Sequence, residues 1–142
     1  MGLDEWIMHI RNYNDADFPQ LERLLKITKI YYAPLDKRYI LKKKIEHDPE
    51  SIIIAEDGEN IIGTVFIIYD PWNSFVYHLA VHPDHRGRGL ANKLMDEAEG
   101  RLKARGMNRP TLFVEEENPS VEFYKKRGWF VLYKVFCMEK VL

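Results

Sequence analysis

The chain is nearly devoid of cysteine: Cys137 is the only one in 142 residues. An intramolecular disulfide is therefore excluded, which is compatible with a reducing cytosol. Long hydrophobic runs are missing too. No stretch approaches a membrane span, and the first residues contain no apolar signal core. Net charge is only −1, so nothing draws the whole molecule toward nucleic acid or an anionic membrane. Internal repeats, low-complexity segments and linkers are also absent. These absences leave a soluble, cytoplasmic chain with a single domain spanning residues 1–142, long enough to bury a core without staples.

What the chain does have is concentrated in one stretch, Val81-His82-Pro83-Asp84-His85-Arg86-Gly87-Arg88-Gly89-Leu90-Ala91. An apolar run from Phe75 to Val81 enters it and a helical pattern leaves it. A short, basic, glycine-rich turn lets backbone N–H groups approach a phosphate, and the helix N-terminus adds partial positive charge behind them. A phosphorylated cofactor is the expected ligand. A nucleotide-hydrolysing P-loop is excluded, because no G-x-x-x-x-G-K-[S/T] string exists. A dinucleotide fold is disfavoured: Gly87 and Gly89 match G-x-G-x-x-G, but Asn92 stands where the third glycine is needed for close helix–strand packing.

The flanking pattern supplies the elements. Trp6 to Ile10 reads as a first strand, and Asn14 as the N-cap of a helix running to about Thr28. Pro34 restarts the chain into a helix over Leu35–His47, stopped by Asp48-Pro49. Ile52–Ala55 and Ile61–Tyr69 are strands joined by the turn Asp57-Gly58-Glu59-Asn60. Asp70-Pro71-Trp72-Asn73 turns into the strand Phe75–Val81. From Arg88 to Arg105, Leu90, Ala91, Leu94, Met95, Ala98 and Leu102 form a helical stripe, with Gly106 as its cap. Thr111–Val114 reads as a short strand running parallel to Phe75–Val81. Asn118 and Pro119 start a helix that Gly128 ends, and Trp129–Tyr133 and Val135–Val141 read as closing strands.

Arg86-Gly87-Arg88-Gly89-Leu90-Ala91 resembles the Q/R-x-x-G-x-G/A signature of the GNAT-type N-acetyltransferase superfamily. Leu79-Ala80-Val81-His82-Pro83 resembles the strand end and V-x-P before that signature. Asn118 to Trp129, with Phe123-Tyr124-Lys125-Lys126-Arg127-Gly128-Trp129, resembles the distal N…Y-x-x-x-G-F segment. The likeness covers nearly the whole chain and looks closest to small prokaryotic members such as the YpeA-like acetyltransferases. It implies an α+β fold: a mixed, mostly antiparallel sheet of six or seven strands flanked by four helices. The fourth and fifth strands would splay into a V that receives acetyl-coenzyme A as co-substrate.

The same resemblance implies site residues and a reaction. The backbone of the Leu79-Ala80-Val81 strand would pair with the pantetheine arm. Gly87 through Asn92 would hold the pyrophosphate, with the side chains of Arg86 and Arg88 adding charge or pointing to solvent. Asn118 would touch the coenzyme arm while capping its helix. Here the chain departs from the family, since Asn118 to Tyr124 is one residue shorter than the usual spacing and Glu117 stands at the usual distance. The acetyl group would pass directly from thioester to a primary amine, on a small molecule, a peptide N-terminus or a lysine. Tyr124 would be the general acid for the leaving thiolate, because a phenol with a pKa of about 10 is protonated at neutral pH.

A general base is harder to place. The two family positions for a carboxylate fall on Phe75 and Leu112, neither of which takes a proton. His78, Asp70, Glu115 and Glu116 remain, beside a water chain with no single base. The empty positions keep open a rival reading, a catalytically silent acyl-coenzyme A-binding or sensing domain. Tyr31, Tyr32 and Trp72 are either acceptor-pocket walls or ordinary packing. His78, His82 and His85 match no standard metal spacing, and no metal is expected. The lone Arg86-Gly87-Arg88-Gly89 lacks the repetition of RNA-binding RGG segments. The acceptor is not named by the sequence; homodimers are common in the family.

Overall fold

The computed structural model describes residues 8–142. The chain forms two compact units, Met1–Leu112 and Phe113–Leu142. The first is built on an antiparallel sheet whose four strands follow chain order: β1 (His9–Asn12), β2 (Ile52–Asp57), β3 (Asn60–Ile68) and β4 (Phe75–Val81). β1 begins later than the sequence pattern suggests, and Trp6 and Ile7 lie outside the described residues. β2 and β3 close through Gly58-Glu59, with Asp57 opposite Asn60 and Gly58 at a φ of 62°. A two-residue hairpin turn needs such left-handed backbone, which glycine adopts without strain.

A 3-10 turn (Asp15–Asp17) and two helices, α1 (Phe18–Ile27) and α2 (Arg38–His47), join β1 to β2. Asn14 does open this region: its N–H donates to Asp17 Oδ2 at 2.9 Å. α2 starts at Arg38 rather than Leu35, because the amides of Leu35 and Asp36 instead donate to Tyr32 O in a tight turn. Ile52 and Ile54 of β2 join Leu21, Leu24, Leu25 and Leu41 in one core. Their alternates Ile53 and Ala55 are fully buried as well. Successive strand residues point to opposite faces, so both faces of the sheet are covered.

The helix on the second face is α3 (Leu90–Ala104), which buries Leu90, Leu94, Met95, Ala98 and Leu102. Gly63 on β3 sets how closely it lies. A Cβ there would stand 2.9 Å from Leu94 Cδ1, 3.1 Å from Leu90 Cδ2 and 3.3 Å from the Ala80 carbonyl oxygen. The far end of α3 is tied to the end of α2, where Arg105 donates twice to Asp48, at 2.6 and 3.0 Å. That guanidinium holds the Asp48 carboxyl below its usual range.

The sheet differs from the expected six or seven strands. After Pro110, Thr111 meets β4 in a single parallel bridge to Phe75. Thr111 N donates to Ser74 O at 2.8 Å and Val76 N to Thr111 O at 3.0 Å. Pro110 has no N–H to give, and the run Glu115-Glu116-Glu117 has little strand tendency, so the expected strand Thr111–Val114 does not develop. The second unit contains α4 (Ser120–Lys126), closed by Gly128 at a φ of 94°. Trp129–Tyr133 and Val135–Val141 are not strands, and their large apolar side chains from Phe130 onward are exposed. Their aromatic and β-branched composition favours strand only where a neighbour supplies pairing and burial.

Replacing Gly63 by Val should destabilise the protein by about 1–3 kcal/mol through overpacking against α3. Urea unfolding checks this, and an unchanged midpoint contradicts it. The Asp48–Arg105 pair gives a pH signature. Because Asp48 is depressed in the folded state, its contribution is complete above the ordinary carboxylate value and is lost as pH falls below it. The difference in melting temperature between the wild type and Asp48→Asn should therefore be widest near neutrality and close below about pH 4.

Candidate active site

Three consecutive pieces of chain build the site: β4, the glycine turn and the start of α3. β4 is an edge strand, hydrogen-bonded along one side to β3. On its other side the only bridge among the described residues is Phe75–Thr111 at its beginning. The ladder with β3 is also irregular. Thr64 faces Ala80 and Phe66 faces Tyr77, so Val65 alone stands opposite both His78 and Leu79. This bulge places His78 at a φ of 54°. Left-handed backbone is costly for a residue with a Cβ, roughly 1–3 kcal/mol, and such strain concentrates at functional sites.

Beyond β4, His82 accepts the Asp84 N–H on Nδ1 and starts a 3-10 turn over Pro83–His85. Arg86 follows, its Nε donating back to Val81 O at 3.3 Å. Arg88 Nη1 lies 3.4 Å from His85 Nδ1. Gly87 and Gly89 have φ values of 78° and 77°, and a Cβ on either would meet nothing within 4 Å. Their backbone is thus bent and open in front. Gly89 is the N-cap of α3, without a side-chain cap. The first helical bond is Lys93 N to Gly89 O, so the N–H groups of Leu90 and Ala91 come before the intrahelical ladder begins. Leu90 and Ala80 bury their side chains, whereas Gly87, Gly89, Arg86 and Asn92 are exposed and Leu79, Val81, Arg88 and Ala91 lie between. Such a bare, positively polarised turn suits the pyrophosphate of a nucleotide-bearing cofactor.

His78 Nε2 lies 2.7 Å from Asp36 Oδ2. Asp36 is only 3% exposed, and the same oxygen accepts the Tyr32 N–H at 2.8 Å. Sequence reasoning considered His78 alone. No signal marks Asp36, which sits 42 residues away in the connection before α2. Two of the other base candidates, Asp70 and Glu116, are committed elsewhere. Asp70 Oδ1 accepts the Trp72 N–H at 2.8 Å and organises the turn into β4. Glu116 is exposed and pairs with Lys134 at 2.6 Å. Tyr31 packs against the α1 core, with Lys26 Nζ 4.9 Å from its ring centre, whereas Trp72 is 88% exposed. Lys44 Nζ donates to Ile67 O at 2.7 Å, and burial lowers its pKa to about 8.

In the second unit, Tyr124 lies on α4 between Phe123 and Trp129, with ring centroids 5.3 and 6.2 Å away. Burial raises its pKa, which keeps the phenol protonated at neutral pH. Asn118 Oδ1 accepts both the Ser120 N–H at 2.9 Å and the Ser120 hydroxyl at 2.7 Å. It therefore secures the start of α4, with Pro119 as the formal N-cap. Among the described residues, no group of three or more His, Cys, Asp or Glu could hold a metal ion, and no helix is long and apolar enough to cross a membrane.

An α+β unit with a glycine turn between an open-edged strand and a helix defines a class of nucleotide-cofactor-binding folds. Residues 10–129 match the model of the acetyltransferase (GNAT) family. An acetyltransferase of Yersinia pestis is 36% identical over 114 residues, covering 80% of this chain and 81% of the relative. One from Sodalis glossinidius is 33% identical over 136 residues, covering 95% and 96%. The chain belongs to the GNAT family of acetyltransferases. Solved structures show the same fold. A Thermoplasma acidophilum PaiA N-acetyltransferase in complex with coenzyme A superposes with a TM-score of 0.75 at 18% identity, over 85% of this chain and 88% of that one. A Bacillus halodurans protein described as a transcriptional regulator gives 0.79 at 23%, over 94% and 100%.

Gly89→Ala should cost about 1–2 kcal/mol, all of it from left-handed backbone, since its new methyl group meets open space. Chemical denaturation reads this directly. A cost no greater than that of an exposed Gly100→Ala change would contradict it.

Proposed function

We propose that the protein transfers an acetyl group from acetyl-coenzyme A to a primary amine. The observation that carries this reading is the open glycine turn at the N-terminus of α3, directly after an edge strand, in a chain of this family. The N–H groups of Gly87 through Asn92 take the pyrophosphate, and Arg86 and Arg88 add positive charge. Leu79, Ala80 and Val81 offer main-chain groups to the pantetheine amides in the manner of an added strand. A backbone N–H of the same stretch polarises the thioester carbonyl as negative charge develops on its oxygen. Asn118 contributes its side-chain amide nitrogen, since its oxygen is already engaged by Ser120.

Two proton problems accompany the transfer. The departing sulfur needs a proton, and Tyr124 is the group assigned to give it. Its position in the Y-x-x-x-G-F-like segment supports this role, because a phenol that stays protonated can serve a thiolate whose own pKa is about 8.5. The incoming amine must also lose a proton before it can attack, since an amine of the lysine type titrates near about 10.4.

Release of free thiol from acetyl-coenzyme A, measured against a panel of small amines, free peptide N-termini and lysine peptides, tests the reading. Turnover with at least one class is expected, and none with any class overturns it. Tyr124→Phe should lower kcat by about 100-fold with coenzyme A affinity nearly unchanged. Wild-type kcat in that variant would remove Tyr124 from the reaction.

A further inference from the structure

The reaction set out above needs an acceptor for the amine proton, and the carboxylate positions suggested by the family are occupied by Phe75 and Leu112. The larger unit instead holds a buried carboxylate–imidazole pair with no evident task. Asp36 is fixed from the backbone side. Its N–H donates to Tyr32 O at 2.8 Å while its Oδ2 accepts the Tyr32 N–H at 2.8 Å. That same Oδ2 meets His78 Nε2 at 2.7 Å. On its other flank the imidazole meets the Phe66 ring edge-on, with centroids 4.9 Å apart. The His78 side chain is nevertheless 21% exposed. Among the described residues its Nδ1 has no hydrogen-bond partner.

Position strengthens the case. His78 directly precedes Leu79 on β4, the last strand of the four-stranded sheet. It occupies the bulge at a φ of 54°, a conformation that a purely structural ion pair between strand and loop does not require. The strain is imposed where the strand would otherwise continue its regular alternation, and it redirects this one side chain.

We propose that His78 accepts the proton of the amine substrate and that Asp36 is its positioning residue. The assignment rests on the acetyl-transfer reading. An ionised carboxylate only accepts hydrogen bonds, so Asp36 fixes the imidazole proton on Nε2 and leaves the lone pair on Nδ1. Nδ1 takes one proton from the ammonium substrate. The freed nitrogen lone pair forms the C–N bond at the thioester carbonyl carbon, and the C–S bond breaks with its electron pair passing to sulfur. The second nitrogen proton is lost to solvent as the Tyr124 hydroxyl protonates the sulfur, and the phenol is reprotonated from solvent. The imidazolium then gives its proton to water. Ammonium and thioester thus yield amide, thiol and one released proton. Asp36 stabilises the transient imidazolium and holds the ring in one tautomer.

The test uses the full chain, acetyl-coenzyme A, and whichever amine of the panel above turns over fastest. His78→Gln and His78→Gly should each lower kcat by about 100-fold or more, while the calorimetric Kd for coenzyme A changes less than about threefold. Glycine suits the positive φ, so His78→Gly keeps the fold, and added imidazole should restore part of its kcat in a dose-dependent way. Asp36→Ala should lower kcat with little change in KM. Asp36→Asn, which keeps an oxygen for both Tyr32 N–H and Nε2–H, should recover part of that loss. Independently of turnover, nitrogen-15 NMR of the neutral imidazole in the wild type should show the proton on Nε2 and a bare Nδ1. A His78→Gln kcat within about threefold of the wild type, or a proton on Nδ1 instead, overturns the assignment and leaves acetyl transfer standing. A wild type that turns over no amine overturns both.

Discussion

β4 can serve two purposes because it is an edge strand. One side of its backbone is committed to β3, which ties it into a sheet buried on both faces. On the other side its only bridge among the described residues is at Phe75, so the later part of the strand is not sealed by a neighbouring ladder. Unpaired strand edges are normally a liability in soluble proteins. Here the edge leads straight into a glycine turn and the positive end of α3, and a ligand carrying both amides and phosphates suits that sequence of groups. Gly63 belongs to the same constraint. It lets α3 lie close enough to β3 for Leu90 and Leu94 to bury, which fixes where the helix N-terminus stands.

The bulge in β4 works at a smaller scale. A regular strand would keep one residue of β4 opposite each residue of β3. Two residues opposite Val65 break that pattern and turn His78 toward the buried Asp36, which the Tyr32 backbone holds in a tight turn. The connection between α1 and α2 therefore supplies a carboxylate to a strand far along the chain. A buried carboxylate needs hydrogen-bond partners, and here a backbone N–H and an imidazole both meet its Oδ2.

Much of this was legible in the sequence where the signal is local. The bounds of β4, the hairpin at Gly58, the stripe of α3 and the two left-handed glycines each follow from periodicity or from a residue with special backbone freedom. The glycine turn could be read as a phosphate site, and its flanks resembled the right family. Features that depend on distant partners were not legible. Nothing near Asp36 announces His78, and nothing in β3 marks Gly63 as the seat of a helix. The apolar segment after Trp129 failed in the opposite direction: its composition is that of strands, yet it forms none, because strand formation depends on pairing that composition alone does not supply.

The central claim is that the edge of β4 and the N-terminal turn of α3 together hold the acetyl donor. Hydrogen–deuterium exchange of the full chain, with and without acetyl-coenzyme A, measures this at the amides concerned. Protection confined chiefly to Leu79–Val81 and Gly87–Asn92 is the predicted result. Binding that leaves those amides exchanging at their free rates would contradict the account.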